Sequence, residues 1–141
     1  INHFLINESW YLVDLPGYGY AGVPVNIRDR WFSTTRDYIL RRETLVCLFV
    51  LIDCRLSPQT SDLRFMEFLG ENQIPFARIF TKADKISSSL LQKNLSHYDS
   101  VMSDRWSKMP VTFVTSSPEK RGREDILDFI EESINIFLNP A

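Results

Sequence analysis

The chain has 141 residues, 44% of them hydrophobic and 24% charged, with 16 basic side chains against 18 acidic ones and a formal net charge of −2. That size fits one compact domain, and the near-balanced charge argues against a bulk binder of nucleic acid or anionic membrane. The longest apolar stretch, Leu45 to Ile52, falls far short of the roughly 20 residues a membrane-spanning helix needs, so the sequence reads as soluble and intracellular.

Ile1 to Asn7 and Trp10 to Asp14 read as two extended runs joined by the turn chemistry of Asn7-Glu8-Ser9, an antiparallel hairpin. Pro16, Gly17, Gly19, Gly22 and Pro24 break the chain into a loop. Ile27, Trp31, Tyr38 and Ile39 then recur at roughly helical spacing, predicting a helix from about Val25 to Arg42. Leu45 to Asp53 is continuously apolar, the pattern of a buried parallel strand. A helix follows over Pro58 to Asn72 with Ser57 as N-cap, then a strand over Pro75 to Phe80. Ser87 to about Met102 is helical and Val111 to Val114 extended. Ile126, Ile130, Ile134 and Leu138, flanked by Leu127 and Phe137, form the apolar stripe of a last helix. Strands alternating with helices predict an α/β fold, a mostly parallel sheet covered on both faces, in one domain over 1–141.

In such sheets ligands bind beyond the carboxyl ends of the strands. Three segments stand there: Asp14-Leu15-Pro16-Gly17, Thr81-Lys82-Ala83-Asp84 and Thr115-Ser116-Ser117. They resemble the third, fourth and fifth motifs of GTP-binding proteins. An Asp at a strand end holds Mg²⁺ through water, and a glycine brings a bare backbone N–H to a terminal phosphate; Asp14 and Gly17 suit those roles. A carboxylate accepts two hydrogen bonds from the N1–H and N2 amino edge of guanine, where adenine has no matching donor pair, and Asp84 is the candidate. The Lys82 stem suits packing along the base plane, and a backbone N–H within Thr115 to Ser117 suits the guanine O6. An Asp-x-x-Gly alone occurs by chance in roughly a third of chains this long. The Thr-Lys-x-Asp element is about tenfold rarer, and all three in order at strand ends make a specific signal.

The wording around these segments narrows the resemblance. Val13-Asp14-Leu15-Pro16-Gly17-Tyr18-Gly19-Tyr20-Ala21, Leu51-Ile52-Asp53-Cys54-Arg55, Phe80-Thr81-Lys82-Ala83-Asp84-Lys85 and Thr115-Ser116-Ser117 with Gly122 are similar to the EngB GTPases of bacterial type. Ile1-Asn2-His3-Phe4-Leu5 is similar to the strand that follows the switch I threonine in that family. The resemblance implies a cytoplasmic P-loop NTPase fold that binds GTP and GDP with Mg²⁺ and hydrolyses GTP to GDP. It also implies action on a large ribosomal subunit precursor, protein or rRNA, in subunit assembly, with a need for it in cell division and septation and with no membrane or DNA partner.

The sequence departs from the family pattern in two places. It contains no G-x-x-x-x-G-K-[ST] phosphate loop, and the switch I threonine falls just before Ile1. The expectation is therefore an N-terminally truncated G domain lacking the first strand, phosphate loop and first helix, prone to aggregate and to bind GTP too weakly to detect when expressed alone. The alternative is a non-enzymatic fragment or degenerate remnant that neither binds nor hydrolyses GTP; the coding sequence upstream of Ile1 discriminates the two. Tyr18 occupies the place where Ras-like enzymes carry a water-positioning glutamine, so no catalytic residue is assigned and slow intrinsic hydrolysis is expected. The loop from Tyr18 to Pro24 is the candidate switch.

Other residues have plainer readings. His3 and His97 stand in no metal-ligand spacing and read as structural or surface groups. Cys47 and Cys54 lie too far apart along one strand to bond to each other. Asp53 reads as a residue that orders the turn after its strand. Tyr18, Tyr20 and Trp31 are either a partner-binding aromatic surface or core contacts of the next helix. Arg41-Arg42 and Lys120-Arg121 with Arg123 read as solvated helix ends, with rRNA contact the alternative.

Overall fold

The computed structural model describes residues 1–18 and 24–141, the Trp31 side chain excepted. The readings for Tyr20, for the Trp31 side chain and for loop residues 19–23 lie outside the described residues. The chain falls into two compact units, Ile1–Thr44 and Leu45–Ala141.

The first unit holds β1 (Asn2–Ile6), β2 (Trp10–Asp14) and α1 (Val25–Arg41). β1 and β2 pair antiparallel from Asn2↔Asp14 to Ile6↔Trp10. Asn7 and Glu8 both take positive φ, 49° and 56°, and Ser9 N–H donates to Ile6 O at 2.9 Å, closing a tight hairpin turn. Asn tolerates the left-handed region through its short polar side chain, whereas Glu8 sits there at a cost of roughly 1–2 kcal/mol. α1 starts on Pro24, whose carbonyl accepts from the N–H groups of Ile27 and Arg28. It ends where Arg42 turns extended, and the Arg42 guanidinium bonds Thr44 and stacks on the Tyr38 ring. Arg42 is thus a helix-end residue. Tyr38 also meets the His3 ring, which contacts Tyr11 edge-on, a structural role for that histidine.

The second unit holds β3 (Leu48–Asp53), α2 (Thr60–Glu71), β4 (Phe76–Thr81), a 3₁₀ turn (Ala83–Lys85), α3 (Ser88–Met102), β5 (Thr112–Val114) and α4 (Arg123–Leu138). The strands form a parallel sheet in the order β3-β4-β5. The mixed α/β expectation with a parallel sheet is met.

Alternation along β3 and β4 sorts the two sheet faces. One face carries Val50, Ile52 and Phe80, with the Phe80 ring edge-on to Tyr98 of α3 and the Phe76 ring edge-on to Trp106. Met66 and Leu69 of α2 and Leu91 of α3 are likewise sealed from water, each worth roughly 1.5–3 kcal/mol by burial. Arg78, 2% exposed, has its charge compensated by Asp99 at 2.8 Å and donates a further hydrogen bond to Thr112 Oγ1. The other face carries Phe49 and Phe113, with the α4 residue Phe129 between them at ring distances of 6.1 and 5.3 Å. α4 covers this face incompletely, and Leu51 remains 63% exposed.

Three sequence readings are corrected. β3 starts at Leu48 rather than Leu45, because its ladder begins only where Leu48 N–H reaches Pro75 O. Ser57 is not the N-cap of α2: the turn closed by Leu56 N–H on Asp53 O delays the helix, and Leu63 N–H on Gln59 O is its first bond. The apolar stripe of α4 is only half-buried at Ile126, Ile130 and Ile134, while Leu127, Phe137 and Leu138 are exposed; Phe129, outside that stripe, makes the ring contacts with the sheet.

Candidate functional site

Asp14, Leu15, Pro16 and Gly17 leave the end of β2 in the first unit. Asp14 is exposed and the next three residues half-buried. Thr35, buried on α1, donates its hydroxyl to Pro16 O at 3.4 Å and fastens this loop to the helix. Among the described residues no group of three His, Cys, Asp or Glu side chains could hold a metal ion. A cation at Asp14 would take its other ligands from water and a phosphate, the manner in which Mg²⁺ is usually held.

The other candidate residues lie together in the second unit, and the sheet register explains why. Asp53 pairs with Thr81, and Phe80 with Val114, so the ends of β3, β4 and β5 align at one carboxyl edge. The Thr81 hydroxyl donates to Ile52 O at 3.3 Å, and Cys54 N–H donates to Thr81 O at 3.1 Å. On the opposite side, Thr115 N–H and its hydroxyl both donate to Phe80 O, while Ala83 N–H donates to Thr115 O at 3.1 Å. The segments Thr81–Asp84 and Thr115–Ser117 are therefore stitched into one loop cluster. At its centre the Ser116 hydroxyl donates to Asp84 Oδ1 at 2.9 Å, with Ser116 only 1% exposed and Asp84 half-buried. Each carboxylate oxygen has two lone pairs, so Asp84 retains acceptor capacity for a further donor pair after this bond.

Lys82 adopts φ 65° and ψ 33°, the left-handed conformation, immediately before the 3₁₀ turn. A non-glycine residue held there costs of order 1–3 kcal/mol and persists only where neighbours over-determine it. The backbone around it is held by Lys85 N–H, which donates to Lys82 O at 3.0 Å, and by Ala83 N–H, which donates to Thr115 O; the Lys82 Nζ stands 3.4 Å from Asp53 Oδ2. Asp53 is gripped in turn by Arg55, Nε to Oδ1 at 3.0 Å and Nη2 to Oδ2 at 2.7 Å, with Arg55 N–H on Oδ1 at 3.1 Å. The Arg55 guanidinium hydrogen bond is the main reason the Asp53 carboxyl titrates as low as about 2.

Beneath the third segment, Gly122 takes φ 79°, and a Cβ built on it would stand 2.5 Å from Val114 O. Only glycine fits. Ser116 and Arg121 exchange backbone hydrogen bonds across this turn, which fixes where the Ser116 side chain starts. Lys120, at φ 54°, and Arg121 are thus turn residues, and Arg123 opens α4 beside Glu124.

The reading of Asp53 as a turn-ordering group agrees with the bond from Arg55 N–H. Its contact with Lys82 was missed, as was the part played by Arg55; an Asp-x-Arg at a strand end was the available signal. Asn94, whose side chain donates to Cys54 O at 2.9 Å and pins the same corner, sits inside a helix where nothing in the sequence marks it. Neither cysteine is an activated nucleophile, because burial raises both thiols, Cys47 to about 11. His97 is exposed on α3.

A parallel sheet with loops clustered at its carboxyl edge and helices on both faces is an open α/β architecture consistent with the P-loop GTPase class. No family model matches the chain. Curated relatives do: it is 53% identical over 135 residues to the probable GTP-binding protein EngB of Phocaeicola vulgatus, covering 96% of this chain and 67% of that protein. It is 55% identical over 139 residues to the probable GTP-binding protein EngB of Bacteroides fragilis, covering 99% and 69%. With its counterpart in Bacteroides thetaiotaomicron it shares 55% over 131 residues, 93% and 65% of the two chains. The chain belongs to the EngB family of GTP-binding proteins, and it spans about two thirds of the length of these relatives. No helix among the described residues is long and apolar enough to cross a membrane.

Proposed function

We propose that the protein binds GTP and GDP, with Asp84 reading the N1–H and N2 amino edge of guanine, and hydrolyses GTP to GDP. The observation that carries this reading is the hydrogen bond from the buried Ser116 hydroxyl to Asp84, which joins two of the three predicted segments in one cluster. In this reading Lys82 lays its stem along the base, and a backbone N–H of Thr115 to Ser117 meets the guanine O6. Asp14 orients a Mg²⁺ through water, and Gly17 offers its N–H to the terminal phosphate. Residues 1–141 are then the portion of a G domain running from the switch I strand through the C-terminal helix.

The family resemblance supports a cytoplasmic role in assembly of the large ribosomal subunit, through contact with precursor protein or rRNA, with consequences for division and septation. Because Tyr18 replaces a water-positioning glutamine, hydrolysis by the protein alone is slow, and a precursor particle orders the attacking water. The test is GTP hydrolysis by the full-length protein, measured alone and with purified large-subunit precursor particles. Stimulation by the particles is the expected result; an identical rate with and without them contradicts the partner assignment.

A further inference from the structure

The contact between Lys82 and Asp53 joins two strands. Asp53 ends β3 and Lys82 follows the end of β4, so no local rule of sequence obliges them to meet. The carboxylate is held independently of Lys82: both oxygens take a guanidinium N–H from Arg55, and Oδ1 also accepts Arg55 N–H. Lys82 Nζ sits 3.4 Å from Oδ2, at the end of a side chain that is 53% exposed and carries four rotatable bonds. Asp84, the other carboxylate nearby, is approached instead by Lys85 at 3.7 Å and by the Ser116 hydroxyl. The two lysines of the loop are thus divided between the two carboxylates.

We infer that Asp53, clamped by Arg55, is a positioning residue for the base-binding loop: it holds the Lys82 ammonium away from Asp84 and so stretches the Lys82 stem into the platform on which a purine plane packs. This inference rests on the guanine-binding reading above and assigns it a residue outside the three nucleotide-binding segments. Asp53 touches no nucleotide in this account. It acts through Lys82, and Arg55 acts through Asp53.

A merely structural role for Asp53, ordering the turn after β3, predicts something different, because that role uses the Arg55 N–H bond and not Lys82. Asp53→Asn separates the two roles, since the amide oxygen still accepts from Arg55 N–H while the charge that holds Lys82 is gone. The experiment is stopped-flow release of N-methylanthraniloyl-GDP from the full-length protein in a double-mutant cycle of Asp53→Asn and Lys82→Met. Asp53→Asn alone is expected to speed release about two- to fivefold, the range of a partly exposed ion pair, and to change nothing further once Lys82→Met is present. Arg55→Gln, which leaves Asp53 in place, gives a smaller acceleration that likewise disappears in the Lys82→Met background, and it serves if Asp53→Asn does not fold. Effects of Asp53→Asn and Lys82→Met that multiply independently overturn the inference and leave the guanine reading standing. Unchanged release in both Lys82→Met and Asp84→Asn overturns the guanine reading and this inference with it.

Discussion

The Ser116 hydroxyl and the Asp84 carboxylate meet at 2.9 Å, the serine sealed from water beneath the half-buried acid, so that the loop after β5 determines how the acid after β4 is presented. Ser116→Ala removes the donor without disturbing the backbone bonds between Ser116 and Arg121. This bond is present with and without nucleotide, so its loss reaches binding only through the orientation of Asp84, and guanine nucleotide affinity is expected to fall by roughly two- to tenfold, less than for loss of the carboxylate itself. Xanthine nucleotides gain nothing, because the carboxylate itself is retained. Calorimetric titration of both nucleotides checks this.

Gly122→Ala is expected to destabilise the second unit by about 1–3 kcal/mol, for the left-handed φ of 79° and the 2.5 Å approach to Val114 O act together. The relevant measurement is the urea midpoint. An unchanged midpoint contradicts the turn geometry assigned to this position.

Acid sensitivity follows from Asp53. Its folded carboxyl titrates at about 2, below its ordinary 3.8, so its stabilising contribution is fully present above about pH 4 and is lost as pH falls toward 2. Urea midpoints across that window should drop for the wild type more steeply than for Asp53→Asn. Equal slopes contradict the pairing with Arg55 and Lys82.

Thiol labelling gives a fourth check. Burial raises the Cys47 thiol to about 11, so alkylation by iodoacetamide at pH 7 is slow and accelerates about tenfold per pH unit up to that value. Cys54, 2% exposed, stays unlabelled until the protein unfolds.

The elements, and the gathering of two of the three candidate segments at one sheet edge, were legible because local chemistry and the strand order decide them. Ser87 caps α3 by accepting from Leu90 N–H, as a serine before a helical run suggests. The same rule failed at Ser57, where the turn closed by Leu56 N–H on Asp53 O precedes a helix that starts only at Thr60, with Gln59 as its N-cap. Continuous apolarity from Leu45 to Ile52 marked β3 but not its start, which depends on how far the neighbouring strand extends beyond Pro75. The tie between Asp53 and Lys82 was illegible for the same physical reason: it arises from the register that sets Asp53 opposite Thr81, a non-local fact. The left-handed backbone of Lys82 was hidden as well, since a lysine carries no turn signal.

The most direct test of the guanine assignment is a titration of the full-length protein and its Asp84→Asn variant with GDP and with xanthosine diphosphate. Asparagine turns an acceptor into a donor, and the xanthine C2 carbonyl is an acceptor where guanine carries an amino group. The expected result is a loss of GDP affinity of roughly 1.5–3 kcal/mol per hydrogen bond together with a gain for xanthosine diphosphate. Retention of the wild-type preference for GDP in the variant would contradict the assignment of Asp84 as the residue that reads the base.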